Sequence, residues 1–85
     1  MDVEKFKHLS YCPDSGAFSS GGRRIGALDG DGYIKFSVSG KSYKAHRLAF
    51  MFMGVWPIPE SMQVDHINGV RSDNRWTNLR LVTRI

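Results

Sequence analysis

The sequence predicts an α+β domain in which small antiparallel β-hairpins surround one short helix. Three observations carry this expectation. Gly32-Tyr33-Ile34-Lys35-Phe36-Ser37-Val38 alternates with period two, the pattern of a half-buried strand. Ala45, Leu48, Ala49, Phe52 and Met53 recur at the three- and four-residue spacing of an amphipathic helix. Leu79, Leu81 and Thr83 alternate once more, with Arg80 and Val82 between them. At 85 residues the chain is long enough for one domain and only a thin core.

Taken in order, the elements read as follows. Tyr11-Cys12-Pro13-Asp14-Ser15-Gly16-Ala17-Phe18 places a turn between aromatic residues, Pro13 presetting φ and Gly16 free to take a positive one. Ser19 to Arg24 is polar and reads as a loop. Ile34, Phe36 and Val38 share one strand face, Ser39-Gly40-Lys41 turns the chain, and Ser42-Tyr43-Lys44-Ala45 returns as the partner strand. The helix then runs from Ala45 toward Gly54, which suits the position after a helix C-cap, with Pro57 beyond it. Its aromatic and Met residues read as core, because Met fills irregular gaps. His46, at the helix start, reads as a structural hydrogen-bonding residue, with a role in a site as the alternative. Trp56-Pro57-Ile58-Pro59 is an extended connector. Gln63 to Ile67 reads as a short strand and Asn68-Gly69 as the start of a turn. Ser72 or Asp73 is placed to cap one helical turn through Asn78, and Trp76 to anchor the core.

Charge is distributed unevenly. The chain carries a formal +4, and the whole excess lies in residues 32–59, where Lys35, Lys41, Lys44 and Arg47 stand without a single acid. Such a stretch attracts a polyanion, phosphate backbone being the commonest; a solvated basic surface is the plain alternative. Cys12 is the only cysteine, which excludes an intrachain disulfide and a multi-cysteine zinc site. Met1 to Lys5 is mixed in charge with no apolar region after it, and the nearly apolar run from Leu48 to Pro57 is too short to span a bilayer. The expected compartment is a reducing cytoplasm.

The chemistry concentrates in the last third. Hydrolysis of a phosphodiester needs an activated water and relief of charge on the phosphoryl and leaving oxygens. An imidazole activates water near neutral pH, and a carboxylate anchors a hard divalent cation. Asp65 and His66 supply both groups side by side. Asn78 can return across the intervening loop to fix either the imidazole's tautomer or the backbone beside it. Arg71, Arg75 and Arg80 add phosphate-binding groups. Neighbouring strand residues face opposite ways, so Asp65 and His66 share a site only if the strand bends, which the turn at Asn68 makes feasible.

Val64-Asp65-His66-Ile67-Asn68-Gly69, followed by Ser72-Asp73-Asn74-Arg75-Trp76-Thr77-Asn78-Leu79-Arg80-Leu81-Val82-Thr83, resembles the HNH endonucleases, closest to the phage and intron-encoded homing type. Tyr11 to Gly16, Gly32-Tyr33-Ile34, Tyr43 to Phe50 and Gly54-Val55-Trp56-Pro57 match such proteins in the same order. The resemblance therefore runs from about Tyr11 to Thr83, and several ordered segments are far more specific than an Asp-His pair. It implies one HNH nuclease domain over 1–85, with a sheet and helix in 1–59 and the ββ part of a ββα-metal (His-Me finger) motif in 60–85. It implies a hydrolase that cuts double-stranded DNA and leaves 3′-hydroxyl and 5′-phosphate ends. It implies Asp65 as ligand of a divalent metal, Mg²⁺ first and Mn²⁺ as the alternative. His66 is implied as general base and Asn78 as the residue that orients it. Lys35, Lys41, Lys44, Arg47, Arg71, Arg75 and Arg80 would then position the duplex. In that family the motif's helix follows the second strand and carries a further metal ligand; it is expected to begin at Ile85, where the sequence ends. The alternatives are a catalytically incomplete DNA-binding fragment, or a half-site completed by a homo-oligomer or partner chain.

Overall fold

Three small antiparallel sheets and one α-helix make up the computed structural model, which describes residues 3–84. Ile85, where the motif's helix is expected to begin, lies outside the described residues, as do Met1 and Asp2.

A turn of 3₁₀-helix, Val3–Phe6, leads into the first sheet, in which β1 (Leu9–Tyr11), β2 (Phe18–Ser20) and β3 (Arg23–Ile25) lie in that order. Phe18 is its anchor, paired with Tyr11 on one side and Ile25 on the other and buried beneath both. The segment Ser19 to Arg24, expected to be a loop, is instead a tight hairpin. Gly21 and Gly22 take φ of 57° and 81°, the pair of positive values that a two-residue hairpin turn of this twist requires. Each of these strands is three residues long and mostly polar, too short to carry a period-two pattern.

The second sheet has the order β4 (Ala27–Leu28), β5 (Ile34–Val38), β6 (Lys41–Lys44). The expected β5–β6 hairpin is present, turning at Ser39-Gly40, and Phe36 and Val38 are buried on the expected face. The helix α1 (Ala45–Phe52) starts directly at the end of β6 and packs on β5 and β6. Leu48 and Ala49 are fully enclosed there. The buried stripe is rotated from the expected one. Phe50 is buried with its ring edge-on to Trp76, centroids 4.8 Å apart, while Met53 lies past the helix end and is exposed. Trp76 thus pulls the helix face toward the last third of the chain and serves as the expected core anchor.

β7 (Met62–His66) and β8 (Leu79–Thr83) form the third sheet, with Val64 opposite Leu81, Asp65 opposite Arg80 and His66 opposite Leu79. Between them the single helical turn is 3₁₀, Trp76–Asn78. Neither Ser72 nor Asp73 caps it: the N-cap residue is Arg75, which has no side-chain cap. Asp73 instead accepts from the Arg75 side chain and from Asn68 Nδ2.

The turn at Cys12–Gly16 is docked on this last segment. Pro13 O accepts the Trp76 N–H at 2.9 Å, and Tyr11 Oη donates to Asn74 O at 2.6 Å. Gly16, at φ 78°, lies so close that an added Cβ would come within 2.4 Å of Asn74 C. The first hairpin therefore presses directly on the loop that joins β7 to β8. Among the described residues, no helix is long and apolar enough to cross a membrane.

Candidate active site

His66 ends β7 and turns inward. It is buried, and its Nε2 lies 2.9 Å from Asn74 Oδ1. An amide oxygen can only accept, so Nε2 is the donor in this contact, and in the neutral ring Nδ1 holds the lone pair. Nδ1 has no hydrogen-bond partner among the described residues, yet it is not one of the polar atoms sealed from solvent; those are Tyr43 Oη and His46 Nδ1.

His66 sits in an aromatic cluster. His46, from the start of α1, meets it edge-on with centroids 5.2 Å apart, and Tyr33 stacks on His46 at 5.0 Å. Tyr33 also carries two cations near its ring, Lys44 Nζ at 4.8 Å and the Arg71 guanidinium at 5.1 Å. Arg71 is steadied by a bond to Asp31 O at 2.8 Å. Lys44 is ion-paired to Asp29, whose carboxyl is held down to about 2, chiefly by the Lys44 hydrogen bond.

The structural hydrogen bond expected of His46 is not formed: Nδ1 is buried without a partner, because the ring faces aromatic surfaces rather than a donor. Burial first, and then the neighbouring His66, Arg47 and Lys44 charges, push its pKa down to about 4, with Asp29 opposing weakly. The folded protein therefore holds His46 neutral where the unfolded chain protonates it. Its contribution to stability is complete above pH 6.5 and is lost as pH falls from 6.5 toward 4, by about 3 kcal/mol. Urea unfolding midpoints should fall across this window in the native protein and stay nearly flat in His46→Phe. Asp29, with its depressed carboxyl, loses its contribution only below about pH 4, so the two effects separate.

The expected bend between Asp65 and His66 does not occur. Both residues keep the regular β7–β8 pairing, so their side chains leave from opposite faces. Asp65 is half-buried and accepts from Arg80 Nε at 2.8 Å through Oδ2, while Oδ1 has no partner among the described residues. The two groups flank the end of one strand without touching the same neighbours. Of the two roles open to Asn78, the geometry shows the second. Its side chain accepts from Asn68 N at 3.0 Å and donates to Asn68 Oδ1 and Asp73 O, each at 2.9 Å, and its carbonyl accepts from Ile67 N. Asn78 thus braces the backbone just after His66, and the imidazole is met by Asn74.

The seven candidate DNA-contacting cations divide. Lys44, Arg75 and Arg80 are paired with Asp29, Asp73 and Asp65. The pairing holds the Asp73 carboxyl well below its usual range and raises the Arg75 guanidinium. Lys35, Lys41, Arg47 and Arg71 have no carboxylate partner among the described residues, and Lys35 and Lys41 are exposed on β5 and β6. Tyr33 and Asn74 are the site residues that sequence reasoning did not single out. Asn74 lay inside the matched motif segment, but nothing in its spacing distinguished it from the asparagines beside it.

The family model for HNH endonucleases matches residues 43–85, which include Asp65, His66, Asn74 and Asn78. The chain belongs to the HNH endonuclease family. No curated protein matches it. Among solved structures, this HNH chain is similar to one described as "DNA binding and cleavage by the HNH homing endonuclease I-HmuI", at a TM-score of 0.67 and 28% identity over 98% of this chain and 51% of that one. It spans about half the length of that protein.

Proposed function

We propose that this HNH chain is a DNA endonuclease of the phage or homing type that hydrolyses phosphodiester bonds with the help of a divalent cation. The observation that carries the reading is His66: a buried imidazole whose Nε2 meets Asn74 Oδ1 and whose Nδ1 is unpartnered, with Asp65 leaving the opposite face of the same strand end. Nδ1 takes the proton of an attacking water as the water oxygen bonds to phosphorus. The bond from phosphorus to the 3′ oxygen breaks, that oxygen leaves with the electron pair and gains a proton from solvent, and the phosphate stays on the 5′ side. Arg71, beside the imidazole cluster and held to Asp31 O, is placed to draw a phosphoryl oxygen toward His66. Lys35 and Lys41 lie on the second sheet to take up flanking phosphates of the duplex.

Asp65 fits a hard cation of the Mg²⁺ type, which commonly takes one or two carboxylates and fills its remaining positions with water and substrate phosphate. The free Oδ1 is the atom available to it. Such a cation would stabilise charge on the phosphate and on the leaving oxygen. Supercoiled DNA should be nicked by the protein with Mg²⁺ or Mn²⁺, and the nicking should stop on addition of chelator. Cleavage undiminished by chelator would reject the metal role.

One observation favours a second reading, a DNA-binding module that does not cut. Among the described residues, no three His, Cys, Asp or Glu side chains group to hold a metal, and Asp65 is already engaged by Arg80. Salt-dependent DNA binding, unchanged by metal and without strand scission, would select it.

A further inference from the structure

We propose that Asn74, clamped by Tyr11 of the first hairpin, is the positioning residue that fixes the tautomer and orientation of His66. The inference rests on the reading of His66 as the general base and adds what makes its Nδ1 the basic nitrogen.

The contact is direct. Asn74 Oδ1 lies 2.9 Å from His66 Nε2, and Asn74 is 2% exposed, so water cannot readily replace it. A buried acceptor at Nε2 selects the Nε2–H tautomer, and the other ring nitrogen is then free for chemistry. No other described side chain forms a hydrogen bond to this imidazole, since the Asn78 amide is spent on Asn68 and Asp73.

Asn74 is itself fixed from two sides. On one, Asn78 Nδ2 donates to Asp73 O, holding the preceding peptide. On the other, Tyr11 Oη donates to Asn74 O at 2.6 Å, and Gly16 closes on the Asn74 carbonyl carbon. Burial raises the Tyr11 phenol to about 12, so it remains a donor throughout the working range. The Tyr11 ring packs on Phe18, 4.9 Å between centroids, which ties the clamp to the core. The chain therefore runs from core to phenol, from phenol to the Asn74 backbone, and from the Asn74 side chain to the imidazole. A separate N-terminal sheet thus acquires a role in the chemistry of the last third.

The test uses the full chain and three variants: Asn74→Leu, which keeps volume but no acceptor; Asn74→Asp, which keeps the acceptor; and Tyr11→Phe, which keeps the ring. Long-range ¹H–¹⁵N spectra of the metal-free native protein should show His66 with a protected Nε2–H and an unprotonated Nδ1. That Nε2–H signal should vanish in Asn74→Leu and persist in Asn74→Asp. In nicking assays kcat should drop about 10- to 100-fold in Asn74→Leu with DNA affinity within about twofold of native. Tyr11→Phe should lose about three- to tenfold, the worth of one hydrogen bond acting at second hand. A native His66 protonated at Nδ1 overturns the proposal, and so does an Asn74→Leu protein that keeps the Nε2–H signal or the native rate. If Asn74→Leu does not fold, the native spectrum and Tyr11→Phe decide. If the native protein does not cut DNA, the nuclease reading fails, while the spectra still judge the Asn74 contact by itself.

Discussion

His66→Ala is expected to abolish metal-dependent nicking, a loss of about 10²- to 10⁴-fold in rate, while DNA binding stays within a small factor of native. The size follows from what is removed: the imidazole provides the unpartnered ring nitrogen at the end of β7. His46 is the nearest imidazole, yet its Nδ1 is sealed from solvent and so cannot reach an attacking water. Binding should survive because Lys35, Lys41 and Arg71 are untouched by the change. Filter-binding or fluorescence anisotropy on the same preparation gives the control. Equal cleavage by native and His66→Ala proteins would remove the base assignment, and parallel loss of binding and cleavage would show that the substitution had damaged the fold.

Among the glycines, Gly16→Ala should be the most damaging substitution. At φ 78° an alanine is already strained by about 1–2 kcal/mol. Its Cβ would also meet Asn74 C at 2.4 Å, Arg75 N at 2.5 Å and Asn74 O at 2.8 Å, all backbone atoms that cannot swing aside. Adding an overpacking cost gives about 3–4 kcal/mol, or roughly 20 °C in melting temperature for a chain of this size. Gly22→Ala is the matched control: its φ is 81° but nothing lies within 4 Å of the added Cβ, so only the strain remains. Thermal melts of the two variants side by side would separate close approach from backbone strain. Similar melting temperatures would show that the first hairpin does not press on the Asn74 loop.

Local pattern made much of this fold legible. The β5–β6 hairpin, α1 and the β7–β8 pair each have a periodic apolar face, and each was recovered within a residue or two of its boundary. The first sheet was not, because Ser19, Ser20, Arg23 and Arg24 present no apolar alternation and depend on Phe18 and the Gly21-Gly22 turn. The candidate site was legible in its residue types but not in its connections. Asp65, His66 and Asn78 stood out, whereas the partner of the imidazole is Asn74, chosen by how the loop folds back rather than by spacing. In the same way Lys44 read as a free cation until β4 and its following turn brought Asp29 alongside. Such pairings depend on tertiary contacts between separate elements, about which periodicity says nothing.

The Tyr11–Asn74 bond joins residues 63 positions apart. Contacts of that span carry a high closure cost as a chain folds, since the loop they seal takes in most of the polypeptide. A polypeptide still emerging from the ribosome, or one caught half-collapsed, would hold Asp65 and His66 in sequence but not a correctly turned imidazole. The orientation of the His66 ring would thus be set only once the complete native topology is in place.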